Sequence, residues 1–472
     1  MAAPSTGTTP AASYDVVVVG AGPGGYVAAI RAAQLGRRVA VVEEKYWGGV
    51  CLNVGCIPSK SLLRNAELAH LLRHRASDFG ISGDLTVDYG VAHRRSREVA
   101  AGRAKGVHYL MRKNGIDEIE GRAAFLDPTT LAVTGAEGTS RIGFEHAVVA
   151  TGASPVTPPG VTLSERVVTY EQLILDDRLP DSIVIIGAGA IGVELGYVLA
   201  AYGVAVTIVE YADRPLPSED ADASRELTRA YRALGIELLV STRVTATDDH
   251  GDGVTVCWDG PDGTGQRTVD RVLVASGFRP NTAGLGLDTA GVDVDERGAV
   301  VVDERMRTSS PHVFAIGDVT LRMPLAHVAE AMGVVAAETL AGAVTMELGD
   351  YRMMPRATFS QPQVASFGLT EEQARAEHDE IRVARFPFSA NGKAHGLGDP
   401  TGFVKVLADS TGALLGAHIV GPDAAELLPE LTLAQRWDIG TFELSRNIHV
   451  HPTLGEALQE AFHGLEGHMV NL

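Results

Sequence analysis

Two cysteines with four residues between them are the part of the sequence best suited to chemistry. They are Cys51 and Cys56, in the segment Gly-Gly-Val-Cys-Leu-Asn-Val-Gly-Cys-Ile-Pro-Ser-Lys that runs from residue 48 to residue 60. Gly55 helps the backbone bend so that the two sulfurs can meet and close a small ring. Because so small a ring removes little entropy from the unfolded chain, we expect it to cycle between disulfide and dithiol. Two other interpretations stay open: unrelated thiols, and a zinc site, although the vicinity lacks further Cys or His ligands.

A histidine and a glutamate near the C-terminus could supply acid–base chemistry. They lie in the run His-Val-His-Pro-Thr-Leu-Gly-Glu from residue 449 to residue 456. Pro452 suits the first turn of a helix, which places His451 just before the helix and Glu456 about one turn into it. A carboxylate bonded to one ring nitrogen fixes the tautomer and leaves the other nitrogen as a base. Such a pair is more often structural, but with a redox cysteine pair in the same chain we expect it to transfer protons.

The elements that position these residues begin with a glycine-rich turn near the N-terminus. A run of valines predicts a buried parallel strand, Gly-Ala-Gly-Pro-Gly-Gly follows from residue 20, and an alanine-rich helix is expected from about residue 26 to 35. A second predicted strand ends in Glu43. Gly20 permits the turn, Gly22 brings the backbone close to a pyrophosphate, and Gly25 allows the helix to pack on the strand. We therefore predict a dinucleotide-binding β-α-β unit in which Glu43 bonds a ribose.

The same pattern returns in the middle of the chain. A predicted strand at residues 182–186 leads into a second fingerprint with Gly187, Gly189 and Gly192, and a further strand ends in Glu210. The repeat predicts a second dinucleotide site. Because a carboxylate accepts from a free 2′-hydroxyl and repels a 2′-phosphate, Glu210 favours NAD over NADP. Arg214, four residues further on, weakens this preference slightly.

Each fingerprint is followed by a strand that returns to a glycine turn, ending in Thr151-Gly152 and Ser276-Gly277. A third strand, residues 313–316, ends in Gly-Asp, and Asp318 could bond a sugar hydroxyl of a cofactor. From about residue 351 the pattern changes to alternating apolar residues and amphipathic helices. The predicted fold class is α/β, with two Rossmann-like dinucleotide-binding domains plus a C-terminal α+β domain.

The cysteine segment resembles the active-site signature of the dihydrolipoamide dehydrogenases, a branch of the flavoprotein disulfide reductases that serves 2-oxoacid dehydrogenase complexes. The resemblance extends from about residue 14 to residue 472, and its other specific motif is the C-terminal His-Pro-Thr-Leu-x-Glu. Tyr46-Trp47 and the order of motifs are most similar to the actinobacterial branch. The resemblance implies tightly bound FAD in the first site, NAD+/NADH in the second, and a homodimer built through the C-terminal domain.

The resemblance also implies roles for individual residues. Cys51 would exchange with the dihydrolipoyl substrate, and Cys56 would face the flavin. Lys60 would pair with Glu194 near the flavin. The histidine, His451, would reach the cysteines of the other subunit, and a lipoyl-bearing acyltransferase component would be the partner protein.

The expected cofactor positions follow from the same resemblance. For FAD they are Gly20, Gly22, Pro23, Gly24, Gly25, Glu43, Lys45, Gly49, Val50, Lys60, Ala123, Thr151, Gly152, Asp318, Leu325, Ala326 and His327. For NAD they are Gly187, Gly189, Ala190, Ile191, Gly192, Glu194, Glu210, Ser276 and Gly277. The predicted domains are residues 1–13 as a flexible tail, 14–155 with 282–350 for FAD, 156–281 for NAD, and 351–472 for dimerisation.

Two departures from the family pattern stand near these motifs. Val50 replaces a commoner Thr, a nearly isosteric change. Gly455 replaces a common Ser before Glu456, and a glycine inside a helix costs about 0.5–1 kcal/mol relative to Ala. Among related enzymes, glutathione-type reductases would prefer basic residues at Glu210, and mercuric reductases carry C-terminal cysteines that this chain lacks after Cys257. A non-catalytic scaffold would need none of the cysteines, histidine or glutamate.

Composition limits the remaining function classes. The chain has 472 residues, 45% hydrophobic and 21% charged, with 53 glycines and a formal net charge of −19. So acidic a chain is a poor binder of nucleic acid or anionic lipid, because phosphate contacts need Lys and Arg clusters. No apolar stretch approaches the length of a membrane span. We expect a cytoplasmic enzyme with no resident metal.

Overall fold

The computed structural model describes residues 12–472. Most of the predicted tail, residues 1–13, therefore lies outside the described residues. Its last two residues, Ala12 and Ser13, already belong to the first strand. Within the described range, no helix is long and apolar enough to cross a bilayer.

The strands follow the chain in this order: β1 (Ala12–Val19), β2 (Val39–Glu43), β3 (Asp117–Glu120), β4 (Arg122–Asp127), β5 (Thr130–Gly135), β6 (Gly138–Val149), β7 (Ala153–Pro155), β8 (Val167–Thr169), β9 (Ser182–Ile186), β10 (Ala205–Val209), β11 (Glu237–Leu239), β12 (Arg243–Asp249), β13 (Val254–Gly260), β14 (Gly263–Val269), β15 (Arg271–Val274), β16 (Phe278–Pro280), β17 (Val313–Ala315), β18 (Arg356–Thr358), β19 (Gln363–Gly368), β20 (Ile381–Pro387), β21 (Phe403–Asp409) and β22 (Leu414–Gly421).

The helices are α1 (Pro23–Gln34), α2 (Gly49–Asn53), α3 (Cys56–His74), α4 (Tyr89–Lys113), α5 (Tyr170–Leu175), α6 (Ala190–Ala201), α7 (Ala221–Ala233), α8 (Ala326–Leu340), α9 (Glu371–Glu377), α10 (Gly392–Leu397), α11 (Ala424–Arg436), α12 (Thr441–Arg446) and α13 (Glu456–Leu465). Short 3₁₀ turns lie at Ala76–Phe79, Gly317–Thr320, Tyr351–Met353 and Phe388–Ala390.

One compact unit comprises the described residues up to Pro58, Arg95–Val156 and Gly277–Tyr351. Its seven-stranded sheet has the order β3-β2-β1-β6-β5-β4, with β17 beside β6. The valines of β1 are buried because parallel neighbours flank the strand and helices cover the sheet. The unit lies within a few residues of the predicted FAD-binding domain, except that residues 59–94 belong to the other unit.

The second unit comprises Ser59–Arg94, Thr157–Ser276 and Arg352–Leu472. It contains a parallel sheet of order β11-β10-β9-β15-β8, a three-stranded meander β12-β13-β14, and an antiparallel sheet of order β18-β19-β22-β21-β20. Helices α11 and α13 pack on the antiparallel sheet over a core that includes Phe367, Phe386 and Phe462. The predicted NAD-binding and C-terminal domains therefore share one compact unit.

A buried lysine joins three elements of this second unit. Lys405 on β21 is 2% exposed, and its Nζ lies 2.8 Å from Asp220, 2.7 Å from Asp222 and 2.8 Å from Glu371. Asp220 also caps the N-terminus of α7 by accepting from the N–H of Asp222. Burial raises the pKa of Asp220, but nearby His418 and the bond from Lys405 outweigh burial and hold that pKa below its usual value. The hydrogen bond from Lys405 likewise lowers the pKa of Glu371.

Replacing this lysine should expose the cost of unpaired buried carboxylates. We expect Lys405→Met to lower the free energy of unfolding by roughly 3–5 kcal/mol, as measured by thermal and urea unfolding at neutral pH. Acids with depressed pKa values stabilise the fold above their usual pKa of about 4, so the deficit should shrink as the pH falls below that value. Lys393→Met, at an exposed lysine, is the control and should change little. A Lys405→Met protein as stable as the parent would contradict the argument.

Candidate active site

Cys51 and Cys56 form a disulfide, with their Cα atoms 4.6 Å apart. Cys51 lies in the single-turn helix α2 and Cys56 is the first residue of α3. Gly48 precedes α2 in the left-handed region at φ 89°, which starts the turn. A Cβ at Gly55 would lie 3.0 Å from the Val50 carbonyl oxygen, so the small residue permits the close approach that the ring needs.

Two side chains that the sequence analysis did not single out hold the cysteine ring. Asn53, between the cysteines, donates from Nδ2 to the carbonyls of Trp47 and Gly49, both at 2.9 Å. Arg97 on α4 donates to the carbonyl of Asn53 at 2.6 Å. The polarity of Asn53 inside the ring was a signal for its role. Arg97 is 44 residues away and carried no such signal.

Lys60 and Glu194 form the ion pair expected from the resemblance. Lys60 is four residues after Cys56 in α3, and its Nζ lies 3.1 and 2.9 Å from the two carboxylate oxygens of Glu194 on α6. Glu194 is 5% exposed and also accepts from the N–H of Phe359 at 2.8 Å. The lysine ammonium lies 4.5 Å from the centre of the Phe359 ring. The buried carboxylate is therefore both paired and hydrogen-bonded.

His451 and Glu456 also contact each other, but the local structure differs from the prediction. The helix α13 begins at Glu456, with Gly455 as its N-cap, so Pro452 is not in a first helical turn. Glu456 accepts from Nδ1 of His451 at 2.8 Å and from the N–H of Thr453 at 2.8 Å. The prediction was wrong because proline also suits an irregular segment before a helix, and here four residues of such a segment separate His451 from Glu456.

The His451–Glu456 pair, called the dyad below, leaves one ring nitrogen of the histidine free at the surface. The His451 side chain is 80% exposed, and within residues 12–472 its Nε2 makes no hydrogen bond. Burial raises the pKa of Glu456, but the hydrogen bonds from Thr453 and His451 outweigh burial and hold that pKa below its usual value. A carboxylate at Nδ1 makes Nε2 the nitrogen able to take a proton.

The two glycine fingerprints adopt the same local structure. Gly20 and Gly187 have φ values of 106° and 109°. A Cβ at Gly25 would lie 1.9 Å from the Gly20 carbonyl oxygen, and one at Gly192 would lie 2.0 Å from that of Gly187. The predicted reasons for these glycines, a tight turn and close packing of the helix, are therefore visible in both repeats.

The acids that end the second strands have a function that the sequence analysis missed. Glu43 accepts from the N–H groups of Ala21 at 2.7 Å and of Lys45 and Tyr46 at 2.8 and 2.9 Å. Glu210 accepts from the N–H groups of Ala188 at 2.6 Å and Ala212 at 2.7 Å. Each carboxylate thus ties its strand to the glycine turn, at the place where a ribose is expected.

The backbone is uncovered at three of the glycines predicted to contact the dinucleotides. Cβ atoms built at Gly152, Gly189 and Gly277 would meet nothing within 4 Å, so the backbone there faces open space. Asp318, the acid predicted to bond a sugar hydroxyl, is buried, and burial raises its pKa to about 6. These features fit the dinucleotides that the fingerprints predict.

The other predicted cofactor positions lie in the following places. Pro23 and Gly24 open α1, where Gly24 lies against Ala329 of α8. Lys45 follows β2, Gly49 and Val50 are in α2, and Ala123 is buried in β4. Thr151 donates to the carbonyl of Asn281. Leu325, Ala326 and His327 lie at the start of α8, Ala190 and Ile191 start α6, and Ser276 follows β15.

Comparison with known proteins places the chain in a family. Residues 14–333 match the pyridine nucleotide-disulphide oxidoreductase family, and residues 354–462 match the dimerisation domain of the same family. The chain belongs to the pyridine nucleotide-disulphide oxidoreductases. The dimerisation domain indicates a homodimer, and the prediction of an oxidoreductase with this fold is confirmed.

Relatives and solved structures agree with this assignment. The chain is 61% identical to a dihydrolipoyl dehydrogenase of Mycobacterium tuberculosis over 461 residues, covering 97% of this chain and 99% of the relative. It is 56% identical to that of Corynebacterium glutamicum over 464 residues, with the same coverage. Among solved structures, LpdA of M. tuberculosis has a TM-score of 0.89 at 31% identity, covering 95% of this chain and 99% of that chain. The flavoprotein disulfide reductase RclA of Escherichia coli has a TM-score of 0.85 at 30% identity, with the same coverage.

A single methyl group should disrupt the first turn. Because a Cβ at position 25 would overlap a backbone oxygen, we expect Gly25→Ala to lower the free energy of unfolding by about 3 kcal/mol or more. The amount of copurifying dinucleotide should fall with it. Thermal unfolding measures the change in stability, and release of the cofactor on denaturation measures the amount of bound dinucleotide.

Gly102→Ala is the matched control for this change. Gly102 lies inside α4 and a Cβ there would meet nothing within 4 Å. Alanine should stabilise that helix by about 0.5–1 kcal/mol. Equal behaviour of the two variants would show that the turn tolerates the methyl group.

Proposed function

We propose that the chain is a dihydrolipoyl dehydrogenase that oxidises dihydrolipoyl groups to the lipoyl disulfide and passes the electrons to NAD+. The observation that carries the proposal is the Cys51–Cys56 disulfide in a chain of this oxidoreductase family. Relatives with 56–61% identity over nearly the full length bear that name. The 2-oxoacid dehydrogenase complexes, through a lipoyl-bearing acyltransferase, are the proposed setting, and the cytoplasm is the proposed location.

We assign the two cofactors to the two fingerprints. Residues 14–155 and 282–350 would hold FAD, residues 156–281 would hold NAD, and residues 351–472 would form the dimer. The open backbone at Gly152 serves the first site, and that at Gly189 and Gly277 serves the second. FAD, when bound, would supply an electron acceptor for the reduced cysteines and a hydride donor for NAD+.

The chain's own residues perform the thiol chemistry. A dihydrolipoyl thiol gives its proton to Nε2 of His451 of the partner subunit. The resulting thiolate attacks Sγ of Cys51, the Cys51–Cys56 bond breaks, and Cys56 leaves as a thiolate. The second lipoyl thiol then attacks the lipoyl sulfur of the mixed disulfide, and its proton passes to the Cys51 sulfur as that sulfur leaves. Lipoyl disulfide departs. The electron pair stays on the cysteine pair, as the Cys51 thiol and the Cys56 thiolate, and the first proton stays on the histidine.

The supporting residues stabilise the charges that this sequence creates. Glu456 on Nδ1 stabilises the imidazolium that forms when His451 takes the proton. Lys60, fixed by Glu194, places a positive charge one helical turn from Cys56 in α3. Asn53 and Arg97 hold the ring backbone while the disulfide opens and closes.

Loss of one sulfur should stop the reaction without removing the flavin. We expect Cys51→Ser to reduce dihydrolipoamide-dependent formation of NADH to background, because exchange requires the sulfur. Bound FAD, measured by its visible absorbance, should remain. The control is Cys257→Ser, which changes a cysteine outside the disulfide and should keep full activity. Ordinary turnover by Cys51→Ser would refute the disulfide relay.

Coenzyme choice tests the second site. A ribose hydrogen bond to a charged group is worth about 1.5–3 kcal/mol, so Glu210 should favour NADH over NADPH by roughly 10–100-fold in kcat/KM. Glu210→Gln should reduce the ratio of kcat/KM for NADH to kcat/KM for NADPH. Asp213→Asn, which removes an exposed charge three residues away, should leave it unchanged. A parent enzyme that prefers NADPH would contradict the assignment.

A further inference from the structure

The segment that carries His451 lies between α12 and α13 and has no regular secondary structure. Its side chains alternate in exposure. Ile448 and Val450 are 90% and 75% exposed, whereas the side chain of His449 is only 8% exposed. His449 is therefore the buried residue of this stretch, two positions before the exposed His451.

One carboxylate accepts hydrogen bonds from two residues of this segment. Glu430 on α11 accepts from Nε2 of His449 at 3.1 and 3.0 Å and from Nδ2 of Asn447 at 2.9 Å. The bond to Glu430 raises the pKa of His449, although burial opposes this shift. Burial raises the pKa of Glu430, but the bonds from His449 and Asn447 outweigh it and lower that pKa. The two groups therefore favour a charged pair, and Glu456 is the other carboxylate that faces His449.

Gly455, the departure noted in the sequence, belongs to the same cluster. A Cβ at this position would lie 3.3 Å from Cδ2 of His449, closer than most side-chain contacts allow. Gly455 is the N-cap of α13 and not an interior helix residue, so the expected cost inside a helix does not apply. The glycine instead gives the His449 ring room beside the residue that precedes Glu456.

We propose that Glu430 and His449 are positioning residues that hold the 447–455 segment so that the His451–Glu456 dyad presents Nε2 to the substrate thiol. This inference rests on the proposed function. The exposed His451 ring is held by one hydrogen bond to Glu456, so its position depends on the backbone that carries it. Proton transfer is sensitive to placement, and a displacement of about 1 Å can cost about 100-fold in rate.

The test compares alanine with conservative variants in the full-length holoenzyme. We expect Glu430→Ala and His449→Ala each to lower kcat for dihydrolipoamide oxidation by about 10–100-fold, with little change in KM for NAD+. Glu430→Gln and His449→Gln keep a hydrogen-bonding group at each position and should recover most of the activity. The double alanine variant should be no slower than the slower of the two single variants, because each single variant already removes the contact between His449 and Glu430.

Two controls separate positioning from general damage. Reduction of ferricyanide by NADH needs neither the substrate thiol nor its base, and it should stay within twofold of the parent in every variant. Glu426→Ala, at an exposed carboxylate one turn earlier on α11, should leave both reactions unchanged.

Three results would overturn the inference. They are parental kcat in the alanine variants, equal losses in the ferricyanide reaction, and additive losses in the double variant. Absence of dihydrolipoamide oxidation in the parent chain would instead refute the proposed function, and the inference with it.

Discussion

The short ring between Cys51 and Cys56 has to survive repeated opening. A disulfide that closes so few residues contributes little to stability, so it cannot be what holds the loop in place. The hydrogen bonds from Asn53 to Trp47 and Gly49, and from Arg97 to Asn53, do not involve the sulfurs. Opening the disulfide therefore breaks none of them directly. The rest of the site can be arranged around a loop whose backbone is held by contacts other than the disulfide.

The two glycine turns also depend on side-chain hydrogen bonds to the backbone. A turn tight enough to bring backbone N–H groups to a pyrophosphate leaves other N–H groups without partners. Glu43 and Glu210 satisfy some of them, at Ala21 and Ala188 respectively. The carboxylate that would recognise a ribose thus also stabilises the turn. A substitution at either acid consequently affects the scaffold as well as recognition.

The sequence was informative where a residue acts on its near neighbours. The strand predicted at residues 182–186 has those bounds in the structure, and both glycine turns and the paired cysteines follow from local spacing. Contacts between residues far apart in the sequence could not be predicted. Nothing local relates Arg97 to Asn53, because that contact depends on how α4 packs against α2. Nothing local relates Glu430 to His449 either, because the irregular segment must fold back onto α11 to make that contact. The start of α13 was misplaced because proline satisfies both a first helical turn and an irregular approach to a helix.

Charge placement in the second unit follows from the cost of burying ions. A buried charge pair is weak evidence for stability, because desolvation offsets much of the attraction. Glu194 is satisfied by Lys60 and the N–H of Phe359, and Lys405 by three carboxylates. Moving any partner would cost a buried ion one of its bonds, so each arrangement restricts the positions of its members. Such pairs therefore specify position more than they add stability, and the pair of His449 with Glu430 applies the same principle to an otherwise irregular segment. On that segment, the buried and paired His449 restrains the backbone that carries the exposed base.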